Sequence, residues 1–212
     1  MILRFLHGWG FDASIWDAVI VQLSDFRIEL LDRGYFGQPS SAVDGGANII
    51  VAHSFGTMLA LHEMLLTDCL GLIAINGFDR FTTSINAPAV PSRVLEKMLT
   101  RFQQTPRAVL KEFHQRCGYE GRIGAHKDDL LAHDLRALRD WDCRAEASKF
   151  AAPILSLQGG TDPILPPAMR KNLFASAPVV DRVTHPSSGH LLPLAEPLFC
   201  VERIRAFAEQ IR

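Results

Sequence analysis

Apolar residues in this chain fall into short runs near 2–6, 27–31, 48–52, 70–75, 153–158 and 179–184. Each run is bounded by turn-forming or polar residues, the pattern of a buried strand. Helical periodicity covers 14–23, 55–66, 167–176 and 196–211. Strands that alternate with helices predict a mostly parallel sheet of about six strands, covered on both faces. The alternation stops between about 78 and 150. There Val94, Leu95, Met98, Leu99 and Phe102 recur at helical spacing, and Leu130, Leu131, Leu135 and Leu138 share one face of a second helix. Thr105-Pro106 reads as an N-cap followed by proline at the first helical position. The predicted organisation is a core of residues 1–77 and 151–212 with a helical cap, 78–150, inserted after the fourth strand. Such a cap would sit over the carboxyl ends of the strands, where sites form in sheets of this kind.

Composition narrows the class without changing it. The 212 residues fit one domain, and 48% hydrophobic with 21% charged residues is ordinary for a globular protein. A net charge of −1 gives no bulk attraction to nucleic acid or membrane. No apolar run reaches spanning length, and Met1-Ile2-Leu3-Arg4-Phe5 enters a strand without a leader-like segment. Cys69, Cys117, Cys143 and Cys200 are scattered, which suits incidental thiols in a reduced cytoplasmic protein. A monomer is the expected state.

Candidate chemistry starts at Ala52-His53-Ser54-Phe55-Gly56, directly behind the run Asn48 to Ala52. Strand, sharp turn and helix make a nucleophile elbow with Ser54 at its tip; alanine replaces the first glycine of G-x-S-x-G but keeps most of the room. Upstream, Leu6-His7-Gly8-Trp9 ends the first strand. The backbone amides of Trp9 and Phe55 would then form an oxyanion hole. Downstream, Gly159-Gly160-Thr161-Asp162 presents a carboxylate at a strand end, and Ser187-Ser188-Gly189-His190 presents an imidazole. Serine, aspartate and histidine follow in the order found in α/β-hydrolases. Asp79, just after the fourth strand, is the alternative acid. His7 is expected to prop the oxyanion loop; His53 is expected to touch substrate or to pack. His114, His126 and His133 lack metal-ligand spacing and are expected at the surface, and neither metal nor cofactor is called for.

These residues resemble the α/β-hydrolase superfamily, and within it the pimeloyl-acyl-carrier-protein methyl ester carboxylesterases of biotin synthesis. The resemblance lies in His7-Gly8-Trp9-Gly10-Phe11-Asp12 with Trp16, in Gly159-x-x-Asp162-x-x-x-Pro166, and in Gly189-His190-x-x-Pro193-x-x-Glu196-Pro197. It implies an α/β-hydrolase fold whose sheet lacks the strands usually found before the His-Gly loop. It implies a Ser54–His190–Asp162 esterase acting on a medium-chain acyl methyl ester. It also implies that Arg93, Lys97, Arg107 and Lys111 on the cap dock an acidic acyl carrier protein, with Met98 where a pocket aromatic would stand. Trp9, Phe78, Met98 and Phe102 are the expected substrate contacts. Asp32 to Ser40 departs from the usual D-x-P-G-x-G-x-S loop. Two alternatives share the motifs: a small-ester carboxylesterase or thioesterase without a carrier, and a non-catalytic binding protein of the same fold.

Overall fold

A computed structural model describes every residue except 43–44, 64–67, 85–86 and 212. Six strands, β1 (Ile2–Leu6), β2 (Arg27–Leu31), β3 (Asn48–His53), β4 (Cys69–Ile75), β5 (Ile154–Gly159) and β6 (Val180–His185), form one parallel sheet in the order β2-β1-β3-β4-β5-β6. The inner strands β1, β3 and β5 are buried throughout, whereas the edge strands β2 and β6 are partly exposed. That difference explains why the inner runs are almost purely apolar and the outer ones carry charge. Arg4, the one charge within β1, reaches Glu29 of β2 at 2.8 Å.

The chain leaves β1 outward to β2, then returns to pair β3 on the other side of β1. Leu6 stands beside Ala52 in register. The ends of β1 and β3 therefore meet at the point where the winding reverses, the place where open parallel sheets build their sites.

Nine helices are described. α1 (Asp17–Ile20) lies between two 3₁₀ turns, Ala13–Trp16 and Val21–Leu23, so the helix expected over 14–23 is one irregular coil. α2 (Phe55–His62) follows β3; positions 64–66 of the expected helix lie outside the described residues. Between β4 and β5 come α3 (Ser92–Gln104), α4 (Pro106–Arg116), α5 (Asp128–Asp140) and α6 (Arg144–Lys149). α3 buries Leu95, Leu99 and Phe102, and α5 buries Leu131, Leu135 and Leu138. The two helices pack on each other, as their apolar spacing requires.

Some local expectations need correction. Pro106 does open α4, but the Thr105 hydroxyl donates back to Arg101 O at 3.2 Å rather than capping α4. The helix expected over 167–176 is only α7 (Pro167–Arg170); the buried Phe174 has φ +54, which a helix cannot continue through. α8 (Leu192–Ala195) precedes α9 (Pro197–Ile211), and Pro197 separates them because it has no N–H to donate. No described helix is long and apolar enough to cross a membrane.

Candidate active site

Ser54 sits between β3 and α2 with φ +53 and ψ −124. A non-glycine residue in that region is strained by about 1–3 kcal/mol and must be held by its surroundings. Ser54 N donates to Ile75 O of the adjacent strand (3.0 Å) and Thr57 N returns to Ser54 O (3.0 Å). Helix α2 starts so close to β1 that a Cβ at Gly56 would lie 2.6 Å from His7 O. Glycine at 56 is thus a requirement of the turn, whereas Ala52 is accommodated.

His190 and Asp162 arrive on the loops after β6 and β5. Ser54 Oγ lies 3.0 Å from His190 Nε2, and His190 Nδ1 lies 2.8 Å from Asp162 Oδ2. A carboxylate only accepts, so Nδ1 carries the proton and Nε2 is free to accept from the serine. All three groups are buried, His190 completely. Asp162 Oδ1 accepts from the amides of Ile164 (2.7 Å) and Leu165 (3.1 Å). Burial would raise the Asp162 pKa, but His190 and these amides outweigh it and hold the carboxyl below its usual range. The two loops are zipped together by Gly160 N to His185 O (2.8 Å) and Thr161 N to Ser188 O (3.0 Å). Asp79 stands apart. Burial pushes its carboxyl up, an amide contact with Phe174 opposes this, and its carbonyl accepts from Cys143 N.

Ser54 opens into a cavity of about 440 Å³ lined by Trp9, Phe78, Phe81, Val90, Val94, Leu95, Met98, Phe113, Leu135 and Leu138. Arg116 stands at this lining and donates to Pro163 O (3.1 Å). Trp9, Phe78 and Met98 therefore face the cavity as the sequence suggests. Phe102 does not line it; its ring packs edge-on against Trp9, 6.1 Å between centres. Phe81, Val90, Phe113 and Arg116 were not singled out in the sequence. They lie in irregular stretches or on helix faces whose inward direction only the packing defines.

The loop after β1, from His7 to Gly10, is tied down on two sides. Trp9 Nε1 donates to Leu131 O of α5 (2.8 Å). His7 Nε2 accepts from Arg33 N (2.9 Å), so its proton is on Nδ1, which lies 2.9 Å from Gly8 O. The Asp32–Ser40 loop also reaches α5: Arg33 grips Asp134 through two bonds (2.7 and 2.8 Å), and Tyr35 OH donates to Asp134 at 2.6 Å. The departure from the common loop pattern thus carries an anchor for α5.

Arg93, Lys97, Arg107 and Lys111 are exposed on α3 and α4. Arg107 donates to Ile123 O (2.7 Å), and Arg101 and Glu112 pair across the two helices at 2.6 Å. The expectation of surface histidines fails for His114, which is buried, stacked on Phe11 at 4.7 Å, with its Nε2 2.6 Å from Gly10 O. His126 is half-buried beside Asp128, and His133 is exposed. Among the described residues no three His, Cys, Asp or Glu side chains come together to hold a metal. The four cysteines are free; burial pushes the Cys143 and Cys200 thiols up to about 12, which leaves them inert.

A six-stranded parallel sheet with a strained serine at its switch point defines a hydrolase-type architecture. Residues 29–203 match the alpha/beta hydrolase family, and the chain belongs to it. It is similar to the pimeloyl-[acyl-carrier protein] methyl ester esterase of Legionella pneumophila (strain Lens), with 28% identity covering 78% of this chain and 77% of that one. The esterase of the same name from Pectobacterium atrosepticum is 24% identical over 98% of this chain and 94% of its own. Among solved structures, an esterase from Exiguobacterium antarcticum superposes with a TM-score of 0.85 at 17% identity, covering 99% of this chain and 92% of that chain.

Proposed function

We propose that this chain is a serine carboxylesterase that cleaves the methyl ester of a medium-chain acyl group carried on acyl carrier protein, as biotin synthesis requires. The observation that carries the reading is the continuous hydrogen-bonded line from Ser54 through His190 to Asp162, opening into an apolar cavity. His190 takes the serine proton through Nε2 as Ser54 Oγ attacks the ester carbonyl. Asp162 keeps the imidazole in the required tautomer and stabilises its charged form. The amides of Trp9 and Phe55 hold the oxyanion, each worth roughly 3–4 kcal/mol in comparable sites. His190 then protonates the leaving alcohol, and water, activated by the same imidazole, releases the acid. No cofactor enters this scheme.

Residues 78–150 serve as the cap, which gives the cavity its apolar wall from Val94, Met98, Leu135 and Leu138. The volume suits an extended aliphatic chain, and the relatives' names supply the carrier-linked ester. Arg93, Lys97, Arg107 and Lys111 would meet the carrier's acidic surface. A carboxylesterase without a carrier is the second reading, favoured by the commitment of Arg107 to Ile123 O.

Charge reversal of Arg93 and Lys97 tests the carrier. Such exposed attraction is screened over ~8 Å at physiological salt. The substitution should lower kcat/KM for the carrier-linked ester about tenfold or more at low salt, with the loss shrinking at high salt, and leave a small soluble ester unaffected. Equal effects on both esters reject the carrier and leave the second reading.

A further inference from the structure

The carbonyl oxygen of His190 receives two side-chain donors. Asn76 Nδ2 reaches it at 2.6 Å and His53 Nε2 at 2.9 Å. A carbonyl only accepts, so the proton of His53 is on Nε2. Asn76 Nδ2 also lies 3.0 Å from Gly189 O, and its Oδ1 accepts from Gly159 N at 2.7 Å. One side chain thus joins the end of β5 to the peptide that carries the imidazole. Both donors are mounted on the sheet. His53 ends β3 directly before Ser54, and Asn76 follows β4 with its own amide bonded to Leu157 O at 2.8 Å.

We propose that Asn76 and His53 are positioning residues that clamp the backbone of His190, so that its imidazole meets Ser54 and Asp162 together. The proposal rests on the reading of His190 as the base. That residue stands on a loop, and loops move more than the strands they join. A proton shuttle needs its geometry held to a fraction of an ångström. Two donors fixed to strands supply that restraint without occupying the imidazole nitrogens.

Residue choice follows from the setting. Asn76 has φ +45, where asparagine is tolerated better than most side chains. His53 is fully enclosed, and burial pushes its pKa down to about 3, with the neighbouring His190 adding to the depression. It therefore donates as a neutral ring, 5.0 Å from an imidazole that must become positive during the reaction. A cation in its place would oppose that charge. Gly8 makes the space: a Cβ there would lie 2.9 Å from His53 Nδ1 and 3.0 Å from Ser54 Cβ.

Three variants of the whole chain test the clamp: His53→Leu, which removes a donor; His53→Gln, whose amide nitrogen can restore it; and Asn76→Gly, which removes the side chain without straining φ. Labelling of the wild-type chain by a fluorophosphonate at Ser54 first checks the serine-hydrolase reading independently, and titration with the same reagent counts active sites. Per active site on a soluble ester, His53→Leu and Asn76→Gly should each lower kcat about 10- to 100-fold with KM within about threefold. His53→Gln should recover most of kcat. Wild-type kcat in His53→Leu and Asn76→Gly overturns the proposal while leaving the triad intact. Equal loss in His53→Gln and His53→Leu also overturns it, since the ring would then matter for packing alone. Absence of Ser54 labelling in the wild type would instead remove the reading beneath both.

Discussion

Ser54 is held at a φ that its own chemistry disfavours, and the groups that hold it are mostly backbone: Ile75 O, Thr57 N and the close pass of α2 over His7. The same logic separates the two candidate acids. Asp162 faces His190 and accepts two further amide bonds, whereas Asp79 is buried against the inserted segment with its pKa raised. Asp162→Asn would favour the wrong imidazole tautomer and should lower kcat roughly 10³–10⁴-fold, as loss of a triad carboxylate typically does. Asp79→Asn should stay within about threefold, since an amide tolerates that burial at least as well. Steady-state kinetics on one soluble ester decides between them; the reverse order would make Asp79 the acid. The converging side chains could be picked out of the sequence because each lies next to a glycine-containing turn at a strand end. Asn76 could not, although it too stands beside a glycine after a buried strand. Its role depends on which loops the sheet brings alongside β4, and no local pattern encodes that.

Helices α3 to α6 are tied to the rest of the fold by several polar contacts, among them the charged Arg33–Asp134–Tyr35 group on α5. Asp134 is fully buried and Arg33 is 24% exposed at its side chain. Burial opposes the Asp134 charge, but Arg33, Tyr35 and His133 bonds outweigh it and lower its pKa. Asp134→Leu leaves Arg33 with Glu63 as its remaining carboxylate (3.2 Å) and takes the acceptor from Tyr35 OH, so the fold should lose about 2–3 kcal/mol, less than a fully buried pair because Arg33 is partly wet. Arg33→Met added to Asp134→Leu should recover much of the loss. Urea unfolding of the wild type, Asp134→Leu, Arg33→Met and the double variant measures this, and additive losses would show that the pair does not act as a unit. At this scale the strands and long helices were legible from periodicity. The break at Phe174 and the inward turn of His114 follow from packing that periodicity does not register.

Acid should act on the whole molecule through His53. In the unfolded chain this histidine takes up a proton near pH 6.5; in the folded chain, held at about 3, it does not. The unfolded state therefore binds more protons below pH 6.5, and stability falls as pH drops toward 3. At pH 4.5 the penalty is roughly 2–3 kcal/mol, at 1.36 kcal/mol per unit. Asp162 and Asp134 have lowered pKa values, so their contributions hold above the ordinary carboxylate range and fade only at lower pH. Thermal melts at pH 7 and 4.5 should show a smaller acid-induced drop in Tm for His53→Gln than for the wild type; equal drops would assign the acid sensitivity elsewhere. The separation of Ser54 from His190 by 136 positions has a different outcome, one that concerns synthesis. A domain folds as a unit, so the elbow after β3 and the loop after β6 meet only once all six strands of the sheet have been made. Until the loop after β6 docks under Asn76, the serine has no partner to take its proton. On the proposed reading, a polypeptide cut short before β6 would carry Ser54 without its base, and the onset of ester turnover would report completion of the sheet.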